Sequence, residues 1–379
     1  MKKYFFLSIV AVGAMFASCS KSEIVDSKFG NDEISFQTYA GRDAQTKAAI
    51  TNNGNIRSVG VFGYYTGESN WSREEGSATP ANLMNNTNLT STDGTTWTYS
   101  PAKYWANDTD KYTFLAYAPY VSSETGATNP NGLTIKSNAP ATLTYAVSTT
   151  LAEQSDVLYA FNPKADDATV NTLINMTKSP VSLGLKHALS RITVKAKATD
   201  ATFKYDIKNI TLSGKFIASA DLDLATGVWT GTKSTTDVNY VIYNNTADNT
   251  NGADGLGADW TDYATKNSAD ETVNNNYLMV IPVEFSEEYT EDDATGVKTY
   301  TDAAMLTVQY TKYFEGTESG VNTVTFPVTY DFEKGKAYTI NLDFMLDDSN
   351  KIQFTVSVSD WVDADEEQTE YPEGKPVQQ

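Results

Sequence analysis

Tyr338-Thr339-Ile340-Asn341-Leu342-Asp343-Phe344 places an aromatic or aliphatic side chain at every second position and a polar one in between. Successive side chains of an extended chain point to opposite faces. This spacing therefore gathers Tyr338, Ile340, Leu342 and Phe344 on one face and sends Thr339, Asn341 and Asp343 to the other. Ile352-Gln353-Phe354-Thr355-Val356-Ser357-Val358 repeats the pattern a short loop later. Upstream, the same alternation appears in Ile34/Phe36, in Val59/Val61 leading to Tyr64, in Tyr112/Phe114 leading to Leu115, and in Ile192/Val194/Ala196. Clusters of Asn, Asp, Gly, Ser and Thr separate these runs, and long helical periodicity is nearly absent. Many strands punctuated by turn residues predict an all-β protein of sandwiches or open barrels with long surface loops.

Pro282 and Pro327 interrupt apolar runs and are expected at edges or bulges, because proline cannot donate to a ladder. Polar stretches at 67–93, 244–274 and 287–301 read as surface loops, and a short helical turn is expected within 149–159. The polar segment 166–181, which contains Pro180, is the expected boundary between two domains, 48–180 and 181–379. No fixed-period repeat appears, which argues against a propeller or solenoid.

The formal charge of −20 and pI near 4.4 argue against nucleic-acid binding, which needs clustered Lys and Arg that this chain lacks. With 23 Tyr, 16 Phe and 6 Trp the chain has the aromatic volume to fill cores between sheets. Its one cysteine forbids an intrachain disulfide, so stability must come from packed apolar area and backbone hydrogen bonds.

That cysteine closes a pattern at the N-terminus. Lys2 and Lys3, an apolar run from Tyr4 to Phe16, then Ala17-Ser18-Cys19 form a secretory signal with a cysteine at the cut site. The run is too short for a permanent membrane helix. Residues 1–18 are expected to be removed and Cys19 to carry acyl chains, palmitate included, that anchor the protein to a membrane. Ordinary secretion with an incidental cysteine is the alternative.

Chemistry is sparsely signalled. The only histidine, His187, opens an apolar run and cannot alone build a His-ligated metal cluster or a Ser-His-Asp site, so a structural role at the domain junction is expected. Asp221/Asp223 and Asp347/Asp348 could pair as glycosidase carboxylates, but Asp221 and Asp223 alternate with Leu222 and Leu224, as on a solvated strand face. Asn107-Asp108-Thr109-Asp110 lacks the continuation of a calcium loop. No phosphate-binding glycine spacing is present. Trp97 and Trp105 lie among tyrosines and are expected in the core, with Trp229 as a further stacking candidate. Trp71, in a polar loop with Arg73, is the tryptophan expected to be exposed and to stack on a glycan. No catalytic residue, metal or cofactor is called for.

The first strand, Glu33 to Tyr39, is followed by Arg42 and Lys47 in a polar hinge. If a protease cuts after either base, Ile34 and Phe36 leave with their strand. The apolar groove and unpaired backbone left behind would accept a strand from another copy. Equally, the segment can be a permanent first strand with two bases in a loop. From the residues alone both readings stay open.

Several motifs, taken together, resemble the fimbrillin family, the lipoprotein-derived subunits of type V pili and their relatives in Bacteroidales. They are the lipobox ending at Cys19, Ile34-Ser35-Phe36, Thr46-Lys47-Ala48, Val59 to Tyr65, and Tyr104-Trp105 with Tyr112 to Pro119. Leu185-Lys186-His187-Ala188-Leu189 and the closing Phe354 to Trp361 complete the set. The resemblance implies two transthyretin-like β-sandwich domains preceded by a pro-segment, 19–47. It further implies proteolytic trimming and polymerisation by donor-strand exchange on the outer membrane, serving adhesion. Carried onto this chain, cleavage would follow Arg42 or Lys47, with Ile352, Phe354, Val356 and Val358 in the donor strand. The implied partners are other fimbrial subunits, a maturation protease, the outer membrane through the lipid, and a host or bacterial surface ligand. A surface-exposed glycan-binding lipoprotein or pilus-tip adhesin is the alternative function.

Overall fold

The computed structural model describes residues 32–40, 56–71, 80–106, 110–136, 141–162, 180–199, 202–245, 255–263, 277–345 and 352–361. Cys19, Arg42, Lys47, Arg73 and the Asp347/Asp348 pair lie outside the described residues. The chain is nearly all β. Its first half contributes β1 (Phe36–Ala40), β2 (Ser58–Gly67), β3 (Met84–Thr90), β4 (Lys111–Ala118), β5 (Leu133–Lys136), β6 (Thr142–Ala146) and β7 (Leu158–Asn162). Then come β8 (Val181–His187), β9 (Ser190–Ala198), β10 (Phe203–Gly214), β11 (Ser219–Asp223), β12 (Val228–Gly231), β13 (Val238–Asn244) and β14 (Thr261–Asp262). The last third adds β15 (Leu278–Val280), β16 (Tyr289–Glu291), β17 (Lys298–Tyr300), β18 (Ala304–Phe314), β19 (Thr317–Val328), β20 (Lys336–Phe344) and β21 (Ile352–Asp360). The helical turn expected within 149–159 is a single 3-10 turn, Leu151–Glu153.

Two pairs of sheets enclose the cores. A six-stranded sheet, β1-β8-β7-β4-β2-β3, faces a four-stranded sheet, β12-β11-β6-β5. Between them Phe62, Leu115, Tyr117, Leu143, Tyr145, Leu222 and Leu224 are buried. In the second pair, β13-β10-β18-β19 faces β14-β9-β20-β21, and the alternating residues Tyr338, Ile340, Leu342 and Phe344 fill the space between with Ile207, Leu212, Leu306 and Phe354. The six-stranded sheet is covered on its other face too, where Trp97, Trp105, Tyr112 and Phe114 join Val59, Val61, Ile34 and Phe36. Burial on both faces explains why β2 and β4 read as almost continuous apolar runs.

Two segments from beyond the boundary expected at residue 180 join sheets of the first half. β8 joins the sheet of the first half, and the β11–β12 hairpin pairs with β6, Ala220 opposite Tyr145 and Leu222 opposite Leu143. Turn residues mark where strands end, but the sheet each strand joins is decided by distant partners. All three stretches expected to be loops also hold strands: β3 lies within 67–93, the two-residue β14 within 244–274, and β16 and β17 form an exposed ribbon within 287–301. Pro327 sits on β19, an edge strand, opposite Met305.

Candidate functional site

β1 is the outermost strand of its sheet and runs parallel to β8, with Phe36 opposite Val181 and Ala40 opposite Leu185. The amide of Val181 donates to the Ser35 carbonyl at 2.8 Å, and the Gln37 amide group donates to the Ser182 hydroxyl. Just before β1 the chain is gripped from the other side as well. Ile34 N donates to Lys103 O at 2.8 Å, Trp105 N donates to Asp32 O at 3.2 Å, and the Tyr99 hydroxyl donates to Ile34 O at 2.7 Å. Burial holds that hydroxyl protonated, pushing its pKa up to about 12.

Ile34 is fully buried and Phe36 nearly so, at 0% and 4% exposure. Phe36 meets Tyr99 and Phe114 edge-on, and Trp105 does the same to Tyr112 and Phe114. Ile34 and Phe36, large apolar residues two apart, belong to one buried cluster with Val181, Leu183, Trp105 and Phe114, against which Tyr99 packs, beside the edge of β8 that β1 covers.

β21 has such a pattern. It is the outer strand of its own sheet and pairs on one side only, antiparallel to β20, from Ile352 opposite Phe344 to Asp360 opposite Lys336. Phe354 and Val356 are buried, Phe354 stacked on Phe326 at 5.1 Å, while Ile352 and Val358 are half-buried. At the strand's end Lys336 and Asp360 pair at 2.6 Å. Trp361 then turns into the first core and stacks on His187, ring centroids 3.9 Å apart and planes 5° from parallel. His187 is buried, with its Nδ1 2.9 Å from a carboxylate oxygen of Asp156. The sequence pointed to a junction role for His187, but nothing local to it signals Trp361 as its partner.

The other candidates fall elsewhere. Trp97 and Trp105 are core residues. Trp229 is half-buried and its indole donates to Ala188 O at 2.6 Å. Trp71 corrects the expectation of an exposed glycan platform: it is 2% exposed, wedged between Tyr64 and Phe161 at 5.3 and 5.6 Å. Its polar sequence neighbours said nothing of those two rings. The tryptophan that is exposed is Trp260, at 45%, with the Lys197 ammonium 4.6 Å from its ring. The Thr144 hydroxyl, and after it Lys136 at 3.0 Å, bind the Asp221 carboxylate and hold its carboxyl below the usual range.

Comparison with known proteins gives the family and the fold. A fimbrillin-like family model matches residues 46–361. Fimbrium subunit Fim1C of Phocaeicola vulgatus is 28% identical over 236 residues, covering 57% of this chain and 60% of that protein, which is less than two thirds of its length. A crystal structure of a fimbrial protein from Bacteroides vulgatus shares the fold, with a TM-score of 0.59 at 19% identity over 88% of this chain and 100% of that one.

Proposed function

The chain belongs to the fimbrillin-like family, whose members are structural subunits rather than enzymes, and from that premise we propose that it is a structural or accessory subunit of a cell-surface fimbria serving adhesion. In this reading it is exported as a lipoprotein acylated at Cys19, reaches the outer surface, loses β1 by cleavage after Arg42 or Lys47, and assembles by strand exchange between copies.

The observation that carries the reading is the standing of β1. It is an outermost strand, yet Ile34 and Phe36 are buried in the core of the sheet it flanks. Its removal would cost the protein two large core side chains and five ladder pairs, and leave a channel shaped for a replacement. Ile352-x-Phe354 in β21 repeats Ile34-x-Phe36, and Val356 and Val358 extend the series where the first segment has Thr38 and Ala40. Among the described residues β21 pairs with β20 alone, so it can leave its sheet without breaking a second ladder there. The residues after Trp361, rich in Asp and Glu, have no comparable alternation.

Purified precursor should be monomeric, and limited trypsin treatment that releases the first strand should yield polymers. A synthetic peptide of residues 351–361 in excess should occupy the channel and suppress them. Monomers that persist after verified cleavage would overturn the proposal.

A further inference from the structure

β8 serves two contacts at once. Residues Val181 to Leu185 carry the whole ladder to β1, whereas the ladder to β7 consists of two pairs, Lys186 with Tyr159 and His187 with Leu158. His187, in the second of those pairs, is also the plate on which Trp361 lies. The strand that holds the removable segment thus ends beneath the residue that closes the C-terminal strand.

Trp361 is held from several sides. Its backbone N–H donates to Gly335 O at 2.8 Å, and Gly335 in turn donates to Leu189 O at 2.9 Å, just beyond β8. The Arg191 guanidinium carbon lies 5.4 Å from the indole. The indole is 4% exposed, yet its N–H is buried with no acceptor among the described residues. A buried donor without a partner disfavours the closed position and regains hydrogen bonds on reaching water. The contact combines extensive stacking with a built-in reason to open.

Resting on the strand-exchange reading above, we propose that the His187–Trp361 stack is a latch that keeps β21 in its own sheet while β1 is in place. With β1 present, β8 is zipped along five further pairs and His187 is fixed. With β1 gone, β8 keeps two ladder pairs, the plate under Trp361 loosens, and β21 separates from β20 starting at its C-terminal end. The subunit becomes a donor when it becomes an acceptor, which keeps precursors from pairing prematurely. Coupling of this kind is reciprocal, so weakening the latch must also loosen β1.

Hydrogen exchange on the intact full-length chain tests it. Trp361→Ala should speed exchange of the β20–β21 amides and of the β1–β8 amides together, each roughly tenfold, while β10–β18 amides keep their rates. Faster exchange in β21 with an unchanged β1–β8 ladder would overturn the latch. If Trp361→Ala loosens β10–β18 as well, the milder Trp361→Phe must still move the first two ladders together, and separate behaviour there overturns it equally. In the wild-type protein, trypsin trimming at a concentration too low for assembly should speed β21 exchange; equal rates before and after trimming would refute the coupling. Trimmed protein that shows the faster exchange but never polymerises would sink the strand-exchange reading and leave the latch standing. Polymers without it would do the reverse.

Discussion

The ring of Phe36 stands edge-on to that of Phe114, centroids 5.5 Å apart and planes 87° from parallel. This contact ties an outermost strand to the centre of its sheet, since β4 lies between β7 and β2. Phe36→Ala should lower the stability of the intact chain by about 3 to 4 kcal/mol, the range for emptying a buried aromatic site. Chemical denaturation measures it. Once β1 has been trimmed away, mutant and parent are the same molecule and their midpoints must coincide. A difference that survives trimming would mean the first strand had not left.

Trp71 makes a second prediction. Packed between Tyr64 and Phe161, it should cost about 3 to 5 kcal/mol when replaced by alanine. Any loss of ligand binding in Trp71→Ala would then track loss of fold, and near-ultraviolet circular dichroism would fall with it. A variant of full stability that loses only binding would place the indole at a surface.

Local signals and distant ones separate clearly in this chain. The alternation of Tyr338 to Phe344 and of Ile352 to Val358 became β20 and β21 because one face of each strand packs in the core and the other is polar, although in β20 that polar face is half-buried and its Asp343 is buried against Thr199 and Lys197. β3, Met84-Asn85-Asn86-Thr87-Asn88-Leu89-Thr90, was hidden in an expected loop. It is an edge strand whose polar side chains need no core, although Asn86 is buried and accepts a hydrogen bond from the Tyr117 hydroxyl. That β11 and β12 complete a sheet begun by β5 and β6 could not be read locally, since pairing across so long a stretch of chain is set by which edges remain open. The setting of Phe36 was half legible: the strand showed in its sequence, but the Tyr99 and Phe114 side chains that meet its ring did not announce where they point.

Alkaline pH supplies a third prediction. Burial pushes the hydroxyls of Tyr64, Tyr145 and Tyr338 up to about 12, and a hydrogen bond to Asp110 followed by burial does the same for Tyr65. Tyr117, Tyr240 and Tyr263 are raised further by burial. These groups keep their protons in the folded state at a pH where the unfolded chain has lost them. Their contribution to stability is therefore complete below pH 10 and is lost as pH climbs from there through about 12. Tyrosinate absorbance should rise in two steps, exposed rings first and buried rings together with unfolding. A single step near pH 10 with the fold intact would contradict the burial of these rings.

Gly60 and Tyr117 give the last. They face each other across β2 and β4, and a Cβ at Gly60 would overlap the Tyr117 ring. The ring has little room to retreat: its hydroxyl donates to Asn86 Oδ1 at 2.6 Å and accepts from Val121 N at 3.2 Å, with Val121 O at 3.1 Å. Gly60→Ala should thus destabilise by about 2 to 4 kcal/mol, overpacking adding to the loss of buried hydrogen bonds. Tyr117→Leu alone should also destabilise, by leaving Asn86 and the Val121 amide short of a partner. In the double variant the clash disappears, because the shorter side chain makes room for the added methyl. The two effects should fall short of additivity by about 1 kcal/mol or more, as for residues in direct contact. Strict additivity in a thermodynamic cycle would show that Gly60 is not there to accommodate the ring.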